Sequence, residues 1–366
     1  MKQLVIVGGG FAGVWAALAA RRAAPRDVEV TLVSRDGWLT IRPRLYESSL
    51  DGVRVPLADV AHEGGFARIE AEVTRIDATT RRVVLATGAQ LAYDRLIVTT
   101  GSVVARPPGL DAAFTVGTYA DGRALRAHLA TPAVRSAPGG ATAVVVGAGP
   151  MGLEVATELA GTLARVVLVE RAPVLAADIT RAARERVAAA LAALGVEVRL
   201  GRSTAVIDRE GATLDDGERI DAATVVWTGG MRAAAQSLVD APRDPLGRLF
   251  VDAALRVQDL PGVFAAGDAA HAMADASHVA PMSCQHAIPM GECAGRNAVA
   301  DLVGRPLEPY QQPHHVLCVD LGTAGALFLK GWDGALALEG FWGKQMKQTI
   351  NTRLIYPPLR GDRRAA

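Results

Sequence analysis

The stretch SCQHAIPMGE, residues 283–292, sets a thiol, a carboxamide and an imidazole on consecutive positions, Cys284, Gln285 and His286. Such a trio could orient a polar ligand, move a proton or carry redox chemistry. It follows VFAAGDAA, 263–270, where Asp268 comes after an apolar run and Gly267. That order puts the Asp268 carboxylate at the C-terminal edge of a strand, where open α/β sheets bind ligands; Asp is also a preferred helix cap. A further carboxylate, Glu154, sits just inside a helix signal, with Glu158 one turn later as ordinary surface. The three cysteines, Cys284, Cys293 and Cys318, are too few for a disulfide framework and suit a reducing, cytosolic compartment. Cys284 reads as a small buried residue with an inert thiol. His286 and Cys293 have no metal-ligand spacing with a neighbour, so no metal site is expected. His271 and His278 read as loop residues without an evident partner, and His314-His315 as a polar loop.

Two glycine-rich turns must position these side chains. Leu4–Val7 is a fully apolar strand, followed by Gly8, Gly10 and Gly13 in G-x-G-x-x-G spacing, with Phe11 and Ala12 inside it. Gly8 permits a tight turn and Gly10 lets the backbone approach a pyrophosphate. Gly13 lets the helix that follows pack on the strand, its N-terminus facing the phosphates. The second copy, ATAVVVGAGPMGLEVATELA, repeats the spacing at Gly147, Gly149 and Gly152, with Met151 inside. Its next strand, RVVLVE, ends at Glu170, placed to bond a ribose 2′-hydroxyl and to repel a 2′-phosphate. NADH is therefore expected over NADPH, although Arg171 next door is of the type that takes the extra phosphate. In the first copy the equivalent strand ends at Ser34-Arg35, and Ser34 can still bond a ribose hydroxyl. Two such loops, roughly 140 residues apart, imply two dinucleotides, one handing electrons to the other.

With these motifs the chain resembles the two-dinucleotide-binding-domain flavoproteins. Further segments carry the resemblance: LAYDRLIVTTGS (91–102), with Thr100 and Gly101; VVWTGGM (225–231), with Gly229; LPGVFAAGDAA (260–270), with Gly267 and Asp268; and IRPRLYESSLDG (41–52), with Arg42 and Pro43. It covers roughly residues 2–330. Within that superfamily the chain looks like type II NADH dehydrogenases and apoptosis-inducing-factor-like NAD(P)H:quinone oxidoreductases, which lack the redox disulfide. The resemblance implies an FAD cofactor, with Asp268 bonding its ribityl or pyrophosphate, the 41–52 segment running beside the flavin, and Cys284 and Gln285 close to it. It also implies that Glu154 reaches towards nicotinamide and flavin to position or deliver a proton. Hydride passes from nicotinamide C4 to flavin N5, chemistry that needs stacking more than acid or base.

No cysteine stands in the 40–50 region, where the disulfide reductases carry theirs, and none lies in 113–244, where sulfide-oxidising quinone reductases need one. Type II NADH dehydrogenases carry a pattern close to A-Q-x-A-x-Q-x-G, matched here by Cys284–Gly291 with Gln285 and Gly291 kept and the second glutamine replaced by Pro289. Those glutamines lie near the quinone headgroup in the family. The expected function is thus FAD-dependent NADH:acceptor oxidoreduction with a quinone as acceptor. The alternative is a specialised flavoenzyme acting on a single metabolite at a remodelled acceptor site. Ser283 is the expected N-cap of the helix that follows, with Pro289 kinking it or starting it afresh.

The expected fold is α/β: two Rossmann-like domains, the second inserted in the first, plus a C-terminal segment of short strands and one helix. The FAD domain is placed at 1–112 and 245–312, the NAD(P)H domain at 113–244 and the C-terminal cap at 313–366. In the cap, Trp342, Met346, Ile350 and Leu354 recur every fourth residue, with Lys344, Lys347 and Arg353 among the polar positions. This 341–356 helix either docks on its own domain or lies on an anionic membrane. Half the residues are hydrophobic and the formal net charge is +1, which gives no field for nucleic acid. No apolar run reaches the ~18 residues of a membrane span. The expected location is cytoplasmic, with attachment to the inner face of the cell membrane, and a homodimer, left open.

Overall fold

Uninterrupted apolar runs bounded by glycine turns become central strands buried on both faces. The computed structural model describes residues 1–136, 139–234 and 237–358, less the side chains of residues 133 and 135. β1 (Lys2–Val7) turns at Gly8 into α1 (Phe11–Ala23), and β2 (Val28–Ser34), β3 (Ala67–Glu70) and β4 (Arg95–Val98) follow. The pattern repeats in β5 (Thr142–Val146), α2 (Pro150–Ala160), β6 (Arg165–Glu170), β7 (Val196–Leu200) and β8 (Thr224–Trp227). The chain returns with β9 (Val263–Ala265) and α3 (Cys284–Leu302). It continues through β10 (Val316–Asp320), β11 (Ala326–Lys330), β12 (Ala335–Leu338) and α4 (Gly340–Thr349).

The first sheet has the order β9-β4-β1-β2-β3 and the second β7-β6-β5-β8, parallel throughout. Because β9 pairs with β4 after the whole second sheet has been built, the second nucleotide fold is inserted in the first. The outgoing and returning chains meet where Ser102–Val104 pairs antiparallel with Met231–Ala233. Each unit also carries a three-stranded antiparallel sheet, within 73–92 and 204–221, that period reading of the sequence missed.

α1 and α3 pack backbone to backbone. A Cβ at Gly291 would lie 2.2 Å from the Ala12 carbonyl oxygen, and one at Gly295 2.3 Å from that of Ala16. Ser283 caps α3 by accepting from the His286 N–H at 3.4 Å, and the helix runs on through Pro289, which neither starts nor ends it. The 42–52 segment is clamped from three sides. Arg44 donates to Glu47 and to the Tyr356 hydroxyl (2.8 Å), Arg126 to the Leu45 carbonyl, and the Ser48 N–H to Glu158 at 2.8 Å. Glu158 therefore ties two units together instead of merely facing solvent.

Two other expectations need correction. α4 ends at Thr349 and passes into a π-helical turn, Ile350–Leu354. Its lysines face inward: Lys347 is 6% exposed, whereas Phe341, Trp342 and Leu354 are 66%, 69% and 63% exposed. Gly340, Gly343, Lys344 and Lys347 share a stripe at helical spacing, and a Cβ at Gly343 would lie 2.1 Å from the Ala326 carbonyl oxygen, which presses that stripe onto β11. The histidines are also partnered. His271 Nδ1 lies 3.1 Å from Asp244, and His278 Nδ1 2.9 Å from Asp275. The rings of His278, Trp332, His315 and His286 form a column, tightest at His278–Trp332 (4.3 Å). It pins the 313–316 strap against the start of α3.

The Gly295→Ala change adds a methyl against backbone, and this should outweigh alanine's better helix propensity of about 1 kcal/mol and cost a net ~1–3 kcal/mol. An unchanged unfolding midpoint in calorimetry would contradict that contact. His286 is buried against Tyr310 and His315, and burial pulls its pKa from 6.5 down to about 4. A depressed histidine stabilises the fold above its unfolded pKa, and that stability is lost as pH falls from 6.5 towards 4. His286→Phe should flatten this acid limb of the melting-temperature profile; a limb as steep as the parent's would assign the acid sensitivity elsewhere.

Candidate functional site

At the first glycine turn Gly8 has φ +117°, and its missing Cβ would lie 2.3 Å from the Thr99 carbonyl oxygen. A Cβ at Gly13 would come within 1.8 Å of the Gly8 oxygen, so this turn closes only on glycine. Gly10, in contrast, faces open space, and no side chain caps α1, so the N–H groups of Phe11, Ala12 and Gly13 head an uncapped helix end. Ser34 is buried at the end of β2 with its hydroxyl beside Gly9, while Arg35 is exposed. The Thr100 hydroxyl is buried with no hydrogen-bond partner, and Gly101 beside it faces open space.

Arg42, in the short 3-10 turn that holds Pro43, donates to the Ser102 carbonyl and hydroxyl, both at 3.2 Å, and lies 3.9 Å from Asp268. Ser102 donates to Asp268 at 2.5 Å. Asp268 follows β9 in a 3-10 turn, Gly267–Ala269, and does not cap a long helix. Gly267 is forced by contact, because a Cβ there would sit 2.8 Å from the Ala12 Cβ. An uncapped helix end for phosphate, a carboxylate for hydroxyls, a guanidinium and an orphaned hydroxyl around open space fit a flavin dinucleotide.

The second turn repeats this geometry. A Cβ at Gly152 would lie 1.8 Å from the Gly147 oxygen, Gly149 faces open space, and Pro150 starts α2 with no side-chain cap. Glu170 accepts from Ala148 N at 2.7 Å and Ala172 N at 2.8 Å, which holds its carboxylate at the mouth of the loop. Gly229 lies against the Trp227 ring, and the Trp227 indole donates to the Ala105 carbonyl at 2.8 Å. These residues fit a second, pyridine dinucleotide.

Glu154, 4% exposed on α2, is no solvated helix carboxylate. It accepts from Lys347 Nζ at 2.6 Å and from the Asp320 N–H at 3.2 Å. Burial pushes its carboxyl upward against the pull of Lys347. Burial lowers the Lys347 ammonium, but Glu154, with Cys318 and Asp320, more than offsets this and leaves it raised. Lys347 also donates to the Cys318 carbonyl at 3.0 Å. Asp320 accepts from Lys344 at 2.6 and 2.8 Å and from the Tyr46 hydroxyl at 3.0 Å. Tyr46, Asp320, Lys344 and Lys347 were absent from the sequence-based site. In the sequence Lys344 and Lys347 stand only among the polar positions of that helix.

Lys347 pulls the Cys284 thiol down and Asp268 pushes it up, both by less than burial does. Burial pushes Cys284 and Cys293 up to about 11 and Cys318 to about 12, so all three stay protonated at neutral pH. Gln285 is engaged by the strap: its amide donates to the His314 carbonyl at 3.0 Å and its oxygen accepts from Val316 N at 3.3 Å. Met151 is half-buried in the first turn of α2. Among the described residues no group of three His, Cys, Asp or Glu side chains is arranged to hold a metal, and no helix is long and apolar enough to cross a membrane.

The family model for pyridine nucleotide-disulphide oxidoreductases matches residues 2–291. An NADH dehydrogenase-like protein of Mycobacterium tuberculosis is 45% identical over 99% of this chain and 96% of its own length. A type II NADH:quinone oxidoreductase of the same organism is 30% identical over 84% of this chain and 75% of its own. The sulfide:quinone oxidoreductase of Aquifex aeolicus shares the fold, with a TM-score of 0.79 at 18% identity over 96% of this chain and 90% of that one. The chain belongs to the pyridine nucleotide-disulphide oxidoreductase family and is an NADH-dependent oxidoreductase that uses a flavin and a pyridine nucleotide.

Proposed function

We propose that the protein oxidises NADH through bound FAD and delivers the electrons to a quinone. FAD is assigned to residues 1–112 and 245–312, NADH to 113–244, and the acceptor side to 313–366. The observation that carries this reading is the pair of matching glycine turns in a chain with no thiol on the segment beside the first of them. Electrons that enter at the second turn have no dithiol to reach, so they leave to a diffusible acceptor. The names of the two mycobacterial relatives support NADH as donor, and the second supports a quinone as acceptor.

FAD, when bound, supplies the two-electron carrier between donor and acceptor. The chain binds and aligns. The uncapped ends of α1 and α2 hold phosphates, Asp268 and Thr100 supply partners for hydroxyls, and Glu170 selects a ribose without a 2′-phosphate. Glu154 and Lys347 would hold a proton at the carboxylate–ammonium contact of 2.6 Å. Gln285 acts by fixing the 313–316 strap over the start of α3. The outward side chains Phe341, Trp342 and Leu354 suit peripheral contact with a membrane, the reservoir of an apolar quinone.

Anaerobic NADH should bleach the flavin, and a soluble quinone should restore it; bleaching without recovery would remove the quinone from this reading. Glu154→Gln should lower kcat by roughly 10–100-fold with little change in KM for NADH. A parental kcat would discard the role given to Glu154. Neutral phosphatidylcholine vesicles should sediment the protein, and the double change Phe341→Glu, Trp342→Glu should abolish this; co-sedimentation undiminished by the change would rule out α4 as the contact.

A further inference from the structure

Two neighbouring strands end alike. β4 and β9 run parallel with Val98 opposite Ala265, and each passes within three residues into a left-handed glycine, Gly101 at φ +71° and Gly267 at φ +68°. The residues that follow, Ser102 and Asp268, meet: the Ser102 hydroxyl donates to Asp268 Oδ2 at 2.5 Å. We propose that Ser102 is a positioning residue for the flavin dinucleotide. Its hydroxyl stands between Arg42 and Asp268, keeps these opposite charges apart, and so leaves Asp268 able to take a hydroxyl of the cofactor. This rests on the FAD reading above, in which Asp268 supplies a partner for hydroxyls.

Arg42 Nη1 donates to the Ser102 hydroxyl and to the Ser102 carbonyl, both at 3.2 Å, and stays 3.9 Å from Asp268 Oδ2. Arg42 Nη2 lies 3.7 Å from Met231 Sδ on the returning chain. Ser102 is itself fixed by backbone. Ser102–Val104 pairs with Met231–Ala233, and the Ala234 N–H donates to the Gly101 carbonyl at 2.9 Å. A hydroxyl has one proton to give and lone pairs with which to accept. One serine can therefore receive a guanidinium N–H and pass its own O–H to the carboxylate, in the order cation, hydroxyl, anion. Among the described residues nothing donates to the second Asp268 oxygen, Oδ1, and the side chain is 16% exposed.

Without the hydroxyl, Arg42 and Asp268 would close on each other. They are half-buried, where opposite charges attract more strongly than in water. A guanidinium and a carboxylate in direct contact pair two by two, which would spend both Asp268 oxygens on the protein. A cofactor hydroxyl would then meet an acceptor already filled. With Ser102 in place only Oδ2 is engaged, and the guanidinium keeps N–H groups for the ligand.

The test follows release of FAD from the full chain, read as the rise in flavin fluorescence on dilution. Ser102→Ala should raise the FAD dissociation constant on the order of 10-fold, the scale of one lost hydrogen bond to a charged group. Ser102→Thr keeps the hydroxyl and should bind as the parent does. The Arg42→Met background supplies a readout that a merely structural serine would not move. If Ser102 acts by holding Arg42 off, adding Ser102→Ala to Arg42→Met should change the constant by no more than about 2-fold, a coupling that a double-mutant cycle isolates. Equal losses in the two backgrounds, parental affinity in Ser102→Ala, or a Ser102→Thr as weak as the alanine variant would overturn the proposal. A second readout needs no cofactor. In a crystal structure of Ser102→Ala the Arg42–Asp268 separation should shorten from 3.9 Å to about 2.8 Å, and an unchanged separation would also overturn it. A parent chain that takes up no FAD would instead refute the reading on which this rests, and the Arg42–Asp268 distance would still decide whether Ser102 holds the charges apart.

Discussion

Backbone pressed against backbone is the constraint on which the molecule depends. At Gly13 and Gly152 a helix comes so close to the preceding turn that a Cβ would sit 1.8 Å from a carbonyl oxygen. At Gly291 and Gly295 one helix lies on another at 2.2 and 2.3 Å. Only hydrogen fits in those gaps, since added volume in a packed interior forces the elements apart. The first pair aims two helix ends at open space, and the second fixes α3, with Ser283, Cys284 and Gln285, against α1. Gly291 is thus kept for its contact with Ala12, whatever acceptor is used.

The charge arrangement follows from that packing. α4 is drawn onto β11 through Gly343, and its lysines then meet Glu154 and Asp320 under the C-terminal sheet. Two carboxylates and two ammonium groups leave the cluster neutral, which lowers the cost of excluding water. Buried ion pairs contribute little net stability compared with apolar packing of similar volume.

The start of α3 is where the chain departs most from the pattern it resembles. Pro289 replaces a glutamine, and Gln285 is used up by the strap that the His–Trp column pins in place. Thiols there remain protonated because burial disfavours the thiolate.

The sequence by itself determined the nucleotide folds, because glycine spacing, apolar runs and Glu170 act over a few residues and their geometry is local. Inserting one fold into the other was legible from the order of the motifs, and the Ser283 cap from one helix start. The small antiparallel sheets were not, as their short strands alternate too weakly to stand out. Only the tertiary structure decided which way α4 faces. Its apolar residues gave an every-fourth seam, yet Trp342 and Leu354 point outward and Lys347 inward, because Glu154 and Asp320, 193 and 24 residues from their lysine partners, wait beneath it. Tyr46 reaches Asp320 across 274 residues. No window on the chain contains such a cluster; it exists only once α2, β10, α4 and the clamped segment are packed.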